Sequence, residues 1–177
     1  MTQCTCSLMA ADVRAKAAWL YGTATFRTCV KTLCTDGTFA MIVYRMMQAC
    51  TRWRLVPLAM LFNKINVVAG QCIIGRGATF GPGFVLVHSQ GVVINTSVRG
   101  GCDVVIEHQV TIGAESRQSP ELGDDVFIGA GAKIIGGVRI GSHVRIGANA
   151  VVIADLPDNV TAVGVPARAV ARSVPGV

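Results

Sequence analysis

Aromatic residues are scarce in this chain, at 6%, and charged residues make up only 15%. A core built on aromatic side chains is thereby excluded. So is a disordered polyelectrolyte, because hydrophobic residues reach 51%. No uninterrupted apolar run is long enough to span a bilayer; the greasiest stretch, residues 55–62, is short and carries Pro57. Asp12, Arg14 and Lys16 stand where a secretion signal needs its apolar segment. Paired metal-binding cysteines are missing too. The seven cysteines (Cys4, Cys6, Cys29, Cys34, Cys50, Cys72 and Cys102) are odd in number and irregular in spacing. Cys4 and Cys6 have no second pair or nearby histidine to complete a site. These absences give the expectation of a reduced, cytoplasmic protein with no metal and no transmembrane segment.

The net charge of +6 allows an anionic ligand. Lys133, Arg139 and Arg145 recur every six residues, however, and on a three-sided coil they would fall on three different faces. That pattern makes no stripe for a polyanion, and no nucleic-acid partner is expected.

What the chain has in quantity is a six-residue beat. Apolar residues fall at Ile74, Phe80 and Leu86, then at Ile94, Ile106 and Ile112 with Gly100 in the open slot. They resume at Leu122, Ile128, Ile134, Ile140, Ile146 and Val152. A beat this long is an internal repeat. A small residue usually follows the apolar one, as in IGRGAT (74–79), IGAGAK (128–133) and IGANAV (146–151), and lets the backbone turn sharply. Three such units can close one triangular coil, with coils stacking by parallel ladder pairing.

Before Val67 the periodicity is helical. Residues 1–10 read as a loose tail, and Asp12 is a helix N-cap candidate. Asp36-Gly37 breaks a second helical stretch. Phe39, Ile42, Val43, Met46, Cys50 and Trp53 form an amphipathic stripe, and Pro57 suits the first turn of a fourth helix ending near Asn66. The Met-rich part of that stripe reads as core or subunit contact rather than membrane face. The expected organisation is a helical region over residues 1–66, a β-helix over 67–160 and a closing tail over 161–177.

The hexads and the segment GVPARAV (164–170) resemble those of the hexapeptide-repeat acyltransferases, whose fold is a left-handed parallel β-helix. The segment VLVHSQGVVI (85–94) resembles the active-site turn of the serine O-acetyltransferases within that family. The resemblance spans roughly residues 65–170. It implies an acetyl-CoA-dependent O-acetyltransferase, working as a homotrimer, with a dimer of trimers through the N-terminal helices as a further expectation.

Counting units as coils of three puts His88, His108, Ala130 and Ala148 at the third position of units on one face. Histidine is the usual base for a hydroxyl proton near neutral pH. Small side chains beyond it would leave a groove for a thioester arm. The resemblance implies His88 as the base in a direct attack, and a coenzyme A groove drawn from Gly113, Ala130, Gly131, Ala148, Ala154, Pro166 and Arg168. His108 is either a second polar site residue or a stacked surface histidine. Glu107 is a candidate to bind an acceptor hydroxyl or to orient a histidine of a neighbouring chain.

Two slips in the beat mark further candidates. SQG (89–91) adds a bulge after His88, and AESRQSPE (114–121) forms a protruding loop. The serine enzymes carry Asp before the turn histidine, where this chain has Val87, and Arg-His-Pro in the loop, where it has Gln118-Ser119-Pro120. Their histidine-orienting Asp falls near Val67, with Asn66 the nearest polar substitute. The acceptor set is therefore Val87, Arg117, Gln118 and Ser119, and the acceptor is serine-like, a sugar or a metabolite hydroxyl. Two rivals stand beside this reading. A non-catalytic β-helix scaffold is opposed by the histidine bulge, the loop and GVPAR. A carbonic anhydrase on the same helix would need three zinc histidines, and His88, His108 and His143 do not share such a site within one chain.

Overall fold

A chain that turns every six residues and buries one side chain per turn has to wind into a narrow prism. The computed structural model describes residues 4–170. From Ile73 onward the chain is a left-handed parallel β-helix with three sheets. Sheet A stacks Ile73–Ile74, Val93–Ile94, Thr111–Gly113, Lys133–Ile135 and Val151–Val152. Sheet B stacks Thr79–Phe80, Arg99–Gly100, Glu121–Leu122 and Arg139–Ile140. Sheet C stacks Val85–Leu86, Val105–Ile106, Phe127–Ile128, Arg145–Ile146 and Thr161–Val163.

The ladder partners are the beat residues themselves. Ile74 lies over Ile94, Ile94 over Ile112, and Ile112 over Ile134 on sheet A. Leu86, Ile106, Ile128 and Ile146 stack in the same way on sheet C. All are buried inside the prism, each gaining on the order of 2–3 kcal/mol from leaving water. Gly100 breaks the apolar rule for a steric reason. A Cβ there would lie 2.3 Å from Phe80 Cδ1, so the Phe80 ring already fills that space. Phe80 packs on Phe84 at 4.5 Å between centroids, and Phe84 on Tyr44 at 5.1 Å, which ties the first coil to the helices.

Four helices precede the prism: α1 (Thr5–Tyr21), α2 (Phe26–Leu33), α3 (Thr38–Arg52) and α4 (Val56–Val68). Two expectations change here. The segment read as a tail is helical from Thr5, and Asp12 caps nothing. Asp12 is buried in mid-helix, where its carboxylate accepts from Arg45 Nε at 2.7 Å and Nη2 at 3.0 Å. It also accepts the backbone N–H groups of Gly83 and Phe84, each at 3.0 Å. Arg45 in turn donates to the carbonyls of Phe80 and Gly81. A fully bonded buried pair of this kind fixes α1 and α3 on the prism.

Helix α4 continues to Val68, past the boundary expected at residue 66. Thr161–Val163 still pairs in parallel with Arg145–Ile146, so the coil persists into the segment read as tail. Arg168–Val170 then folds back antiparallel on Thr161–Val163 and covers that edge of sheet C. Lys133, Arg139 and Arg145 open strands on sheets A, B and C respectively. Among the described residues, no helix is long and apolar enough to cross a membrane.

Candidate active site

His88 leaves sheet C at the corner where the chain turns towards sheet A. Strand register places Leu86 beside Ile106, as the count of units requires. The turn after it differs from the simple column. Gly131 N–H bonds to His108 O and Asn149 N–H to Ala130 O, whereas Gln109 N–H bonds to Gln90 O. Gln90, not His88, therefore holds the turn position equivalent to His108, Ala130 and Ala148. The two extra residues of the widened turn, closed by Val92 N–H to Ser89 O at 3.2 Å, push His88 out of the column. Its ring still meets that of His108 edge-on at 6.0 Å between centroids.

Each ring has a carboxylate beside its Nδ1. For His108 it is the adjacent Glu107, with Oε2 at 3.7 Å. For His88 it is Asp36, with Oδ2 at 3.2 Å. The resemblance put the orienting Asp of the serine enzymes near Val67, with Asn66 the nearest polar substitute; the Asn66 amide is buried and donates to Ala40 O at 3.2 Å. Asp36 comes from the turn between α2 and α3. That turn is held by the Thr35 and Thr38 hydroxyls, both donating to Thr32 O. Gly37 brings it close: its φ is +76°, and a Cβ would lie 2.4 Å from Leu86 O. Any other residue would lift Asp36 away from His88.

Asp36-Gly37 was legible only as a helix breaker, and no local pattern announces its partner. Lys16 was missed as well. It is fully buried on α1 and donates Nζ to the Asp36 carbonyl. Its burial pulls its pKa down to about 8, against the upward pull of the Asp36 and Glu107 carboxylates. A detectable signal did exist: Asp12 and Lys16 stand one turn apart, on the same side of α1.

An open recess of about 360 Å³ adjoins His88, lined by Leu20, Tyr21, Cys34, Thr35, Asp36 and Val87. Ala130 and Ala148 continue along the same corner beyond His108, and Gly131 with them. The GVPAR segment crosses the far end of this corner, through Val151 N–H to Gly164 O and Ala167 N–H to Val151 O. It contains a cis Val165–Pro166 peptide, and Arg168 opens the antiparallel strand. Between the histidines and GVPAR this corner carries only small residues, Ala130 and Gly131 half-buried and Ala148 exposed.

The other expected residues lie elsewhere in the same chain. Gly113 ends a strand of sheet A, and the loop after it belongs to the corner between sheets A and B. The loop is a tight hairpin in which Glu115 and Gln118 exchange backbone bonds at 2.9 and 2.8 Å. Ser116 and Arg117 form its tip, both with positive φ. Ser119 Oγ bonds to Asn95 Oδ1 at 3.2 Å, on that corner too, and Ala154 follows a strand of sheet A at the same corner. Within one chain, Arg117, Gln118 and Ser119 are thus on a different corner from His88. Val87 does adjoin His88, but it is apolar and buried. His143 lies at the remaining corner, Nδ1 bonded to Asp125 at 2.9 Å. Among the described residues, no group of three or more His, Cys, Asp or Glu is placed to hold a metal ion.

Comparison with known proteins decides the family. Residues 119–154 match the family model described as bacterial transferase hexapeptide (six repeats). A serine acetyltransferase of Helicobacter pylori strain J99 is 38% identical over 140 residues, covering 77% of this chain and 82% of that protein. The chain belongs to the serine acetyltransferase family. It is an acyltransferase that uses acetyl-CoA, as that family does. Solved members of the family superpose along nearly the whole chain. Neisseria gonorrhoeae serine acetyltransferase does so with a TM-score of 0.85 and 32% identity, over 97% of this chain and 67% of that one. A serine acetyltransferase solved in complex with CoA gives a TM-score of 0.85 and 31% identity, over 94% of this chain and 69% of that one.

Proposed function

We propose that His88 is the general base of an acetyl-CoA-dependent O-acetyltransferase whose acceptor site differs from that of a serine enzyme. The observation that carries this is the His88–Asp36 contact at the head of the small-residue track. A carboxylate only accepts hydrogen bonds, so it selects the tautomer with the proton on Nδ1 and leaves Nε2 free to accept one. Nε2 then takes the acceptor hydroxyl proton while the oxygen attacks the thioester carbonyl carbon. The C–S bond breaks, and the imidazolium returns the proton to the departing thiolate. Backbone N–H groups of the widened turn would stabilise the oxyanion. Ala130, Gly131 and Ala148 would carry the pantetheine arm towards Pro166 and Arg168, with Gly113 and Ala154 contributed from the neighbouring sheet A corner. His108 and Glu107 would contact the acceptor beside His88.

The acceptor reading rests on side-chain chemistry. Val87 offers no charge for an ammonium group, and Gln118-Ser119 offers none for a carboxylate. Those two replacements alter the set that would hold free serine, and a hydroxyl on a sugar or another metabolite is the proposed acceptor. Because Arg117, Gln118 and Ser119 stand on another corner of the same chain, their use in acceptor binding requires an adjacent copy. A homotrimer with each site between two prisms meets that requirement. Exposed apolar side chains of the helical region, such as Phe26, Trp53 and Met60, would join two trimers. In this reading residues 1–66 supply Asp36, 67–160 the reaction corner, and the closing tail, of which 171–177 lie outside the described residues, covers the groove through 161–170.

The test is thiol release from acetyl-CoA with a panel of serine, sugars and nucleoside alcohols, alongside sedimentation to count subunits. Turnover with some alcohol at least about tenfold above serine is expected. No turnover with any acceptor, together with no coenzyme A binding in calorimetry, would leave the non-catalytic scaffold as the reading.

A further inference from the structure

Lys16 is unexplained by the fold alone. Buried ammonium groups are costly unless their protons are bonded and their charge is answered. Asp12, one turn away on α1, is already engaged by Arg45. On the other flank of α1, Asp103 and Asp125 lie at the corner between sheets B and C, and Asp125 is held by His143 and Arg145. Lys31 stands over the Tyr21 ring, 5.9 Å from its centroid. The charges that do act on Lys16 are the carboxylates of Asp36 and Glu107. These are the carboxylates beside the Nδ1 atoms of His88 and His108. One buried cation therefore underlies two histidine–carboxylate pairs from different parts of the chain.

We infer that Lys16 is a positioning residue for the reaction: its ammonium anchors the Asp36 turn and offsets the Asp36 and Glu107 carboxylates, so that His88 stays neutral and able to accept a proton. This rests on the reading of His88 as the base. The sign is fixed by electrostatics. Two uncompensated carboxylates would favour the imidazolium form over the neutral ring. With Lys16 charged, one of those negative charges is cancelled close by.

The chain has only three histidines, which makes a direct test practical. Proton NMR of the imidazole resonances is followed against pH in the full-length protein and in Lys16→Met. The titration midpoints of His88 and His108 should rise by about half a unit or more in the variant. His143, bonded to Asp125 at another corner, should hold its midpoint and also reports that the prism is folded. In kinetics, the acid limb of kcat/KM should move to higher pH by the same amount, with KM for acetyl-CoA unchanged, and Lys16→Arg should restore part of it. Unmoved His88 and His108 midpoints in a folded Lys16→Met protein would overturn the inference. Should that variant not fold, Lys16→Gln, which can still donate to the Asp36 carbonyl but carries no charge, takes its place, and unmoved His88 and His108 midpoints in it refute the inference. Absence of acetyl transfer would instead remove the base role while leaving the resonance result intact.

Discussion

Asp36 and His88 are 52 positions apart in the chain and meet at 3.2 Å between Oδ2 and Nδ1. One comes from the turn between two helices and the other from a widened turn of the prism. Asp36→Asn should lower kcat by about 10- to 100-fold with little change in KM for acetyl-CoA, because it removes tautomer control and not donor binding. His88→Ala should lose about 10²-fold or more. The double variant should be no worse than His88→Ala, since the two act as a unit. Thiol-release kinetics of the three proteins check this, and additive losses would separate Asp36 from His88.

Ala148 is exposed on the same corner as the histidines. Ala148→Phe should raise KM for acetyl-CoA by about tenfold while leaving the fold intact, because one aromatic ring would fill a shallow track sized for small side chains. Calorimetric titration of coenzyme A into the variant measures the loss directly. Unchanged binding would place the thioester arm elsewhere.

Arg45→Met should destabilise the protein by about 3–5 kcal/mol, since it leaves the Asp12 carboxylate buried without its cation. Asp12→Asn with Arg45→Met should recover part of that loss. Urea denaturation of the single and double variants gives the coupling.

Gly100→Ile should also destabilise, by about 1–3 kcal/mol, through collision with the Phe80 ring. Phe80→Ala in the same chain should rescue it, because the inward volume merely changes coils. A melting temperature for the double variant below that of Gly100→Ile would contradict this account of the skipped beat.

Acid should loosen the corner between sheets B and C. Burial pushes the Asp125 carboxyl up, but the hydrogen bonds from His143 and Arg145 outweigh it and leave the pKa below the ordinary 3.8. A depressed carboxylate contributes stability above its unfolded pKa and loses it as pH falls through the folded value. Stability of the wild type should therefore fall more steeply below pH 3.8 than that of Asp125→Asn, measured by urea midpoints across that range.

Much of the prism was legible in residues such as Ile106 and Ile128, because a repeat states its own register. Each apolar side chain of the beat has one inward place, and the ladder then aligns one coil on the next. The His88–His108 encounter followed from the same count. The departure at Gln90 did not, since a bulge of two residues shifts the turn without shifting the strands. Asp12 shows the other limit: its position before an apolar stretch is what an N-cap looks like, and only the approach of Arg45 made it a buried partner.

The sequence by itself determined the β-helix, its sheet register and the corner at which a histidine stands beside small residues, because these depend on contacts between neighbouring repeats at a fixed spacing. Only the tertiary structure decided what that histidine meets. Asp36 reaches it from a helix turn, Lys16 bonds to that turn from a buried helix face, and Glu107 stands beside His108 on the next coil. No period in the sequence links those positions. Their meeting depends on how the helices dock on the prism, which is set by the Asp12–Arg45 pair and by the bare backbone of Gly37 against Leu86.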